Sequence, residues 1–481
     1  MSTKARVIRP RNIGVSSLRT GPFYTVASVE LGNTTTKCII ASTNLKTAEI
    51  FEIAKEVRFT RDVRPPEKGE QIFGRTITGV ELTRQSVSEL VSAILTSVLS
   101  KARLSLDSDL HFVVRSTGVT AGFAQPSEVG EMVRALADGC LAAGVPPSKM
   151  TASIAPENLP ADIRQFSWLR KVYFDGAVAS CLPPSNTEVV ANEMEGELVT
   201  AGLKGAVKGS GTDFRNPVMV LDFGTTLAGR ITDDSYPYAR TIGSFAGLAG
   251  AIPDALARGG VEAIGPTGCV LDLTTHPSRR RIQVDPGWVE QVHKQIRVEV
   301  VPRSARRFGT VPVNPDAAEE SGVLLIGVDA GSNGSEIREI ERVGARIVEA
   351  AGTELMMGVI DQVQFHTMQR ILGVAEEHGL ILRNTSLGLT GRAIITGTKP
   401  SMILNGLQTR DGSRWSGSHQ TVFVEDGLAM GAAVAARCMN SMGTRENPMG
   451  GRKSDSCIMG ARMKMQKERR GGRTSHRSET V

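Results

Sequence analysis

The stretch Val26-Ala-Ser-Val-Glu30-Leu-Gly32-Asn33-Thr34-Thr35-Thr36-Lys37 decides how this chain is read, because its pattern returns 192 residues later. The second copy is Val218-Met-Val-Leu-Asp222-Phe-Gly224-Thr225-Thr226. Each runs from apolar, largely β-branched residues into a carboxylate, a spacer, Gly and Thr. Such residues favour strands, so each copy reads as a strand ending in a carboxylate at a tight turn. Gly32 and Gly224 let backbone N–H groups approach an anion with no Cβ in the way. Thr34, Thr35, Thr225 and Thr226 can add hydroxyl donors, and Asn33 lies in the same first turn. Glu30 and Asp222 are placed to hold Mg²⁺ through its waters or to orient an attacking water. Lys37 could neutralise phosphate charge. A single acid-x-Gly-x-Thr reads equally well as a plain hairpin turn. Two copies at this spacing point to two facing lobes that close on one nucleotide.

Working outward, residues 23–31 and 35–42 read as the two strands of a hairpin. Leu82 to Leu104 has apolar residues at helical spacing. His111–Ser116 is a short strand, Pro126-Ser127-Glu128 starts a helix, and Gly144-Val-Pro-Pro147 ends it. The Gly-rich Lys208–Gly211 marks the boundary between lobes. Residues 275–320 read as an insertion. Gly322–Val328 is β-like, 336–380 a long helical segment, Ala393–Thr398 a strand into a Gly turn, and Asp426–Gly431 the start of a helix with a small-residue face. The divisions expected are a disordered basic arm at 1–20, an N-terminal lobe at 21–211, a C-terminal lobe at 212–444 and a disordered basic tail at 445–481. Strands alternating with helices, and strand–turn–strand pieces, predict an α/β chain with mixed sheets flanked by helices.

With 481 residues, 40% hydrophobic and 22% charged, the chain is long enough for two cores and ordinary for a globular protein. The net charge of +6 comes from the ends. Residues 1–20 hold five basic residues and no acid, and residues 451–481 hold nine basic and three acidic. The body therefore carries 42 basic and 47 acidic residues. That balance, with only 4% aromatics, argues against a nucleic-acid surface. No run of 18 apolar residues is present, so no membrane span is expected. No secretory h-region is visible at the start either. The six cysteines, Cys38, Cys140, Cys181, Cys269, Cys438 and Cys457, are scattered without CxxC or zinc spacing. A reduced, cytoplasmic protein is expected, and an iron–sulfur site would have to be shared across a homodimer.

Other candidates have blander readings beside them. Gly247-Leu-Ala-Gly250 lacks both GxGxxG and GxxxxGK[ST], which favours close helix packing. Gly391 to Gly397 could bring backbone close to a nucleoside or form an ordinary turn. Asp329-Ala-Gly331 is a third acid–glycine turn. Glu193, Glu195 and Glu197 would share one face of a strand but spread around a helix, with a solvated face the default. The Arg279–Arg281 run reads as a solvated loop. The histidines pair with no Ser or Cys in a nucleophile motif.

The two turns resemble the paired phosphate motifs of the actin / sugar kinase / Hsp70 ATPase superfamily. That likeness implies two ribonuclease-H-like lobes with Mg-ATP between them, Gly391–Gly397 as the adenosine loop and Asp426–Gly431 as a late connecting helix. Longer strings, Thr25–Cys38, His111–Phe123, Asn192–Gly202 and Gly247–Asp254, resemble the methanogenesis marker protein 14 family of methanogenic archaea. That family is similar to ethanolamine ammonia-lyase reactivating ATPases and to ATP-dependent reductive activators of corrinoid proteins. The resemblance implies an ATPase that services a client enzyme or corrinoid-type protein, with ATP and Mg²⁺ as cofactors. One departure is Glu30, where most superfamily members carry Asp. Other readings are a small-molecule kinase of the same fold, a redox activator with an intersubunit iron–sulfur cluster, and a non-catalytic scaffold.

Overall fold

A computed structural model describes residues 5–44, 47, 49–117, 126–150, 177–179, 193–208, 210–235, 239–273, 283–320 and 322–442. The expected basic tail at 445–481, the Arg279–Arg281 run and the string after Thr117 lie outside them. Within them the chain is a mixed α/β protein with mixed sheets flanked by helices.

The chain opens with β1 (Val7–Ile8), β2 (Arg11–Asn12) and α1 (Val15–Thr20). A hairpin follows, β3 (Phe23–Leu31) and β4 (Thr35–Asn44), extended by β5 (Ile50–Phe59). After a small hairpin, β6 (Ile72–Arg75) and β7 (Glu81–Thr83), come α2 (Arg84–Ala102), β8 (Phe112–Thr117), α3 (Pro126–Ala142), β9 (Ala177–Ala179) and α4 (Glu193–Val207). The next group is β10 (Val218–Phe223), β11 (Leu227–Thr232), β12 (Thr241–Gly247), α5 (Ala251–Gly260) and α6 (Pro286–His293). Then come β13 (Ile296–Val300), β14 (Arg307–Phe308), β15 (Val311–Pro312), α7 (Pro315–Glu320), β16 (Leu324–Ala330) and the long α8 (Ile337–Glu377). The chain closes with β17 (Ser386–Thr390), α9 (Arg392–Ile395), α10 (Lys399–Gly406), α11 (Trp415–Ser418), β18 (Thr421–Val424) and α12 (Gly427–Met442).

Two sheets dominate. One has the order β2-β5-β4-β3-β8-β9, and the other β1-β18-β17-β10-β11-β12-β16-β13. The strands carrying the two acid–glycine turns, β3 and β10, sit inside their sheets, and both are buried along nearly their whole length. Helices cover both faces there, which explains apolar runs instead of alternation.

Among the described residues, three of the four hydrophobic clusters hold these layers. Val87, Leu90, Val91, Ile94 and Leu95 of α2 recur at helical spacing and pack on one face of the first sheet. Thr83 starts that helix by accepting from the Ser86 N–H, while the Ser86 hydroxyl accepts from the Thr83 N–H. A second core, including Ile252 and Leu256 of α5 and Ile360 and Val363 of α8, covers one face of the second sheet. The third lies between the sheets, where Leu198 and Leu203 of α4 and Leu428 and Met430 of α12 meet Val26, Ile39, Val218 and Val220. Each such buried aliphatic side chain stabilises the fold by roughly 1.5–3 kcal/mol. In α4 and α12 backbone meets backbone: a Cβ on Gly431 would collide with the Leu198 carbonyl, and one on Gly202 with the Gly427 carbonyl.

Three local expectations need correction. Residues 5–20 of the predicted disordered arm are structured. β1 pairs with β18 in the second sheet and β2 with β5 in the first, so the arm joins both. Its positive charge finds acids on a body that is net negative, through Arg9–Glu425 at 2.7 Å, Arg11–Glu49 at 2.9 Å and Arg19–Asp109 at 2.7 Å. Ala393–Thr398 is not a strand. The strand is β17, which Gly391 ends with a φ of 90°, and residues 392–395 are helical. The supposed insertion at 275–320 contributes β13, an edge strand of the second sheet paired antiparallel to β16.

Candidate functional site

The first turn is set by strand register. Glu30 of β3 lies directly opposite Lys37 of β4, so both side chains share a face. Glu30 Oε2 stands 2.9 Å from Lys37 Nζ. The Gly32 N–H donates to the Thr35 carbonyl at 3.1 Å and closes the turn, and a Cβ on Gly32 would lie 2.7 Å from that oxygen. Thr60 pins the loop from outside: its hydroxyl donates to the Gly32 carbonyl at 2.7 Å and its N–H to the Thr34 carbonyl at 3.0 Å. Asn33 is buried and accepts from the Ile77 N–H at 2.8 Å. Thr35 is half-buried at the start of β4.

The second turn rests on the start of α5. The Gly224 carbonyl accepts from the Gly250 N–H at 2.7 Å, and the Thr225 carbonyl accepts from the N–H groups of Ala249 and Ala251 at 3.0 Å each. A Cβ on Gly250 would stand 2.6 Å from the Gly224 carbonyl, so the small residues at 247–250 let this helix approach the turn. Thr226 is buried and bridges to Leu248. The two turns touch: Thr34 Oγ1 lies 2.8 Å from Thr225 Oγ1. Arg61 pairs with Asp272 across the same junction, Nη1 to Oδ2 at 2.8 Å, and its Nη1 also reaches the Thr267 carbonyl at 3.1 Å.

Behind the turns lies a charged cluster. Asp222 of β10 pairs in register with Thr390 of β17. Gly391 follows at once, and a Cβ there would collide with the Asp222 carboxylate and the Phe223 carbonyl. A left-handed glycine at this point leaves space for the carboxylate. Asp426, also left-handed with a φ of 54°, precedes α12. Its carboxylate lies 2.6 Å from Lys55 Nζ and 3.9 Å from Lys37 Nζ, and Lys55 also reaches Glu425 at 3.0 Å. Burial pushes the Asp222 carboxyl well above the ordinary carboxylate range; Lys37 opposes this, while Glu30 and Asp426 add to it. Burial alone would depress the Lys37 ammonium, but Glu30, Asp426 and Asp222 outweigh it and hold the group above its usual value. Burial likewise opposes ionisation of Asp426, and Lys37 and Lys55 overcome it.

The structure thus gathers Glu30, Gly32, Asn33, Thr34, Lys37, Asp222, Gly224, Thr225 and Gly391 around one junction. Gly397 is elsewhere. It is left-handed, and a Cβ there would stand 2.6 Å from Asp361, which accepts from the Thr398 N–H and pairs with the buried Lys399 at 2.7 Å. Lys37 faces carboxylates. Glu195 and Glu197 lie on α4, and Glu197 approaches Arg230 at 3.4 Å.

Sequence reasoning missed two acids. Asp426 carried the signal of an acid before a Gly at a helix start. Asp254, in the first turn of α5, accepts from the Val270 N–H at 2.9 Å and lies 3.4 Å from Thr34 Oγ1. Burial raises its carboxyl to about 6, against the pull of the Val270 N–H and Arg258.

Among the described residues, no group of three or more His, Cys, Asp or Glu side chains is arranged to hold a metal ion by itself. Cys38, Cys140 and Cys269 are buried, and burial pushes their thiols up, so none is favoured as a thiolate. No helix among the described residues is long and apolar enough to cross a membrane.

Fold and site together define an α/β protein in which two acid–glycine–threonine turns meet in front of a carboxylate–lysine cluster. The chain belongs to the family described as "Uncharacterized protein conserved in archaea (DUF2114)", which it matches over residues 23–466. It is 50% identical over 467 residues to the uncharacterized protein MJ1451 of Methanocaldococcus jannaschii, covering 97% of this chain and 96% of that one. It is 49% identical over 472 residues to an uncharacterized protein of Methanothermobacter thermautotrophicus, covering 96% and 87%. Among solved structures it is similar to a reductive activator for a corrinoid, iron-sulfur protein, with a TM-score of 0.30 and 11% identity. That likeness covers 86% of this chain and 60% of the activator.

Proposed function

We propose that the chain is a Mg²⁺-dependent ATP-binding protein of actin / sugar kinase / Hsp70 type, with two ribonuclease-H-like lobes. It would act as an ATPase that activates or reactivates a cofactor-dependent enzyme. The observation that carries this reading is the meeting of Thr34 and Thr225, which opposes two turns that share one sequence pattern. Phosphates would enter by parting these hydroxyls. They would then meet the hydroxyls of Thr34, Thr35, Thr225 and Thr226, and the backbone N–H at Gly224. Gly391 would flank the nucleoside side.

The cluster behind the turns suits a divalent cation. Glu30, Asp222 and Asp426 converge on Lys37, and burial, aided by Glu30 and Asp426 against the pull of Lys37, raises Asp222. Mg²⁺ keeps several waters and is commonly held by one or two carboxylates plus substrate phosphates, so a complete protein cage is not required. Glu30 and Asp222 would hold it, with Asp426 beside them, and it would screen charge on the phosphates. The client, a cofactor enzyme or corrinoid-type protein, is proposed from the family resemblance.

Calorimetry of the full chain with Mg-ATP, beside Asp222→Ala, tests this reading. Binding by the wild type and loss in the variant are expected. No heat of binding with either protein would overturn the ATP reading and leave a scaffold. Turnover that becomes fast only with one added metabolite would replace the ATPase with a kinase.

A further inference from the structure

Between the two turns and the first turn of α5 lies a small recess of about 20 Å³, lined in part by Thr34, Thr225, Ala251, Asp254 and Cys269. A cavity needs roughly 10–15 Å³ to hold a water, so this one has room for about one. Its polar walls come from both sheets. Thr34 belongs to the β3–β4 turn, Thr225 to the β10–β11 turn, and Asp254 to α5. One carboxylate oxygen of Asp254 is committed to the Val270 N–H at 2.9 Å. The other points toward Thr34, at 3.4 Å, longer than a good hydroxyl–carboxylate bond, so it has capacity for a second donor. Arg258 from the same helix, and Arg61, Asp272 and Cys269 from around the recess, complete the charged and titratable surroundings.

We propose that this recess seats the attacking water and that Asp254 is the base that draws its proton, so that the phosphoryl acceptor is water and not a metabolite. This rests on the ATP reading above and fixes the acceptor at that site. The water oxygen bonds to the terminal phosphorus as the bridging P–O bond breaks. The electron pair of that bond leaves with ADP, the water proton passes to Asp254, and inorganic phosphate forms. Asp254 touches the hydroxyl that the reading assigns to phosphate, which puts it beside the reacting phosphorus. A carboxyl at about 6 is well matched to take a proton near neutral pH.

The test uses the full chain with Mg-ATP and measures binding by calorimetry and phosphate release separately, in the wild type, Asp254→Asn and the recess-filling Ala251→Val. Asp254→Asn should bind ATP almost unchanged and release phosphate about 100-fold more slowly. Ala251→Val, which leaves every carboxylate in place, should also bind and turn over slowly. Should Asp254→Asn fail to fold, the Ala251→Val result decides. Wild-type phosphate release from either folded variant overturns the proposal. So does parallel loss of binding and release in Asp254→Asn, because the residue would then be structural. If the wild type itself binds no ATP, the ATP reading has failed first, and the assignment of water falls with it.

Discussion

Thr34 and Thr225 stand 191 residues apart in sequence, yet their hydroxyl oxygens lie 2.8 Å apart. The contact joins two turns of like pattern on different sheets, with no space for a phosphate between the hydroxyls. On the proposed ATP reading, nucleotide binding would separate them. Sulfur reaches further than oxygen, so cysteines at both positions should close a disulfide under oxidation. The Thr34→Cys, Thr225→Cys double variant should lose binding of a fluorescent ATP analogue when oxidised and regain it on reduction. Undiminished binding by the oxidised, cross-linked protein would show that the turns need not part.

Lys37 faces Glu30 at 2.9 Å and Asp426 at 3.9 Å, with Asp222 close behind. Removing a cation from a buried set of acids leaves uncompensated charge. Lys37→Met should therefore destabilise the fold by about 3 kcal/mol at neutral pH. Millimolar Mg²⁺ should restore part of the loss if these carboxylates accept a divalent cation. Melting curves with and without MgCl₂ decide this, and a Lys37→Met protein indifferent to Mg²⁺ would remove the cluster from consideration as a cation site.

How much of this was legible follows from the range of each interaction. The hairpin turn at Gly32 and the partnership of Glu30 with Lys37 are local, and a short turn sets the register. The turn at Gly224 was legible for the same reason. The convergence of Asp222 with Gly391 depends on the parallel pairing of β10 with β17, which no local pattern encodes. Asp426 and Asp254 looked like ordinary helix-start acids, and only the packing of α12 and α5 against the turns brings them in. The arm at 5–20 was misread because composition recorded its charge but not the acids waiting at Glu425, Glu49 and Asp109.

Gly431 shows what the central helices tolerate. A Cβ there would overlap the Leu198 carbonyl of α4, which is backbone and cannot rotate away. Gly431→Ala should force α4 and α12 apart and cost at least about 3 kcal/mol, the upper range for overpacking. Both sheets pack on these helices, so the loss should appear as a lower melting temperature and weaker ATP binding together. A variant that melts with the wild type would mean that the two helices are less closely seated.

Asp254 yields a stability prediction whose sign is fixed by the direction of its shift. Its carboxyl is raised from 3.8 to about 6 by burial, so the folded protein holds the proton more tightly than the unfolded chain. The resulting stabilisation is present below about pH 4, declines as pH rises to about 6, and is absent above. Asp254→Asn keeps an oxygen for the Val270 N–H and never ionises. Relative to the wild type it should gain stability between pH 4 and 6 and keep that gain above. The residue is half-buried, so the gain is discounted for solvent screening to on the order of 1–2 kcal/mol. Its titratable neighbours keep their state through this window: Arg61 stays cationic and holds Asp272 below its ordinary value, and the buried Cys269 stays a thiol. Melts of both proteins from pH 4 to 8 would show the curves separating on the way up. A variant that lost stability relative to the wild type as pH rose would mean that Asp254 is stabilised as an anion, and a base poised near neutrality would then be the wrong description of it.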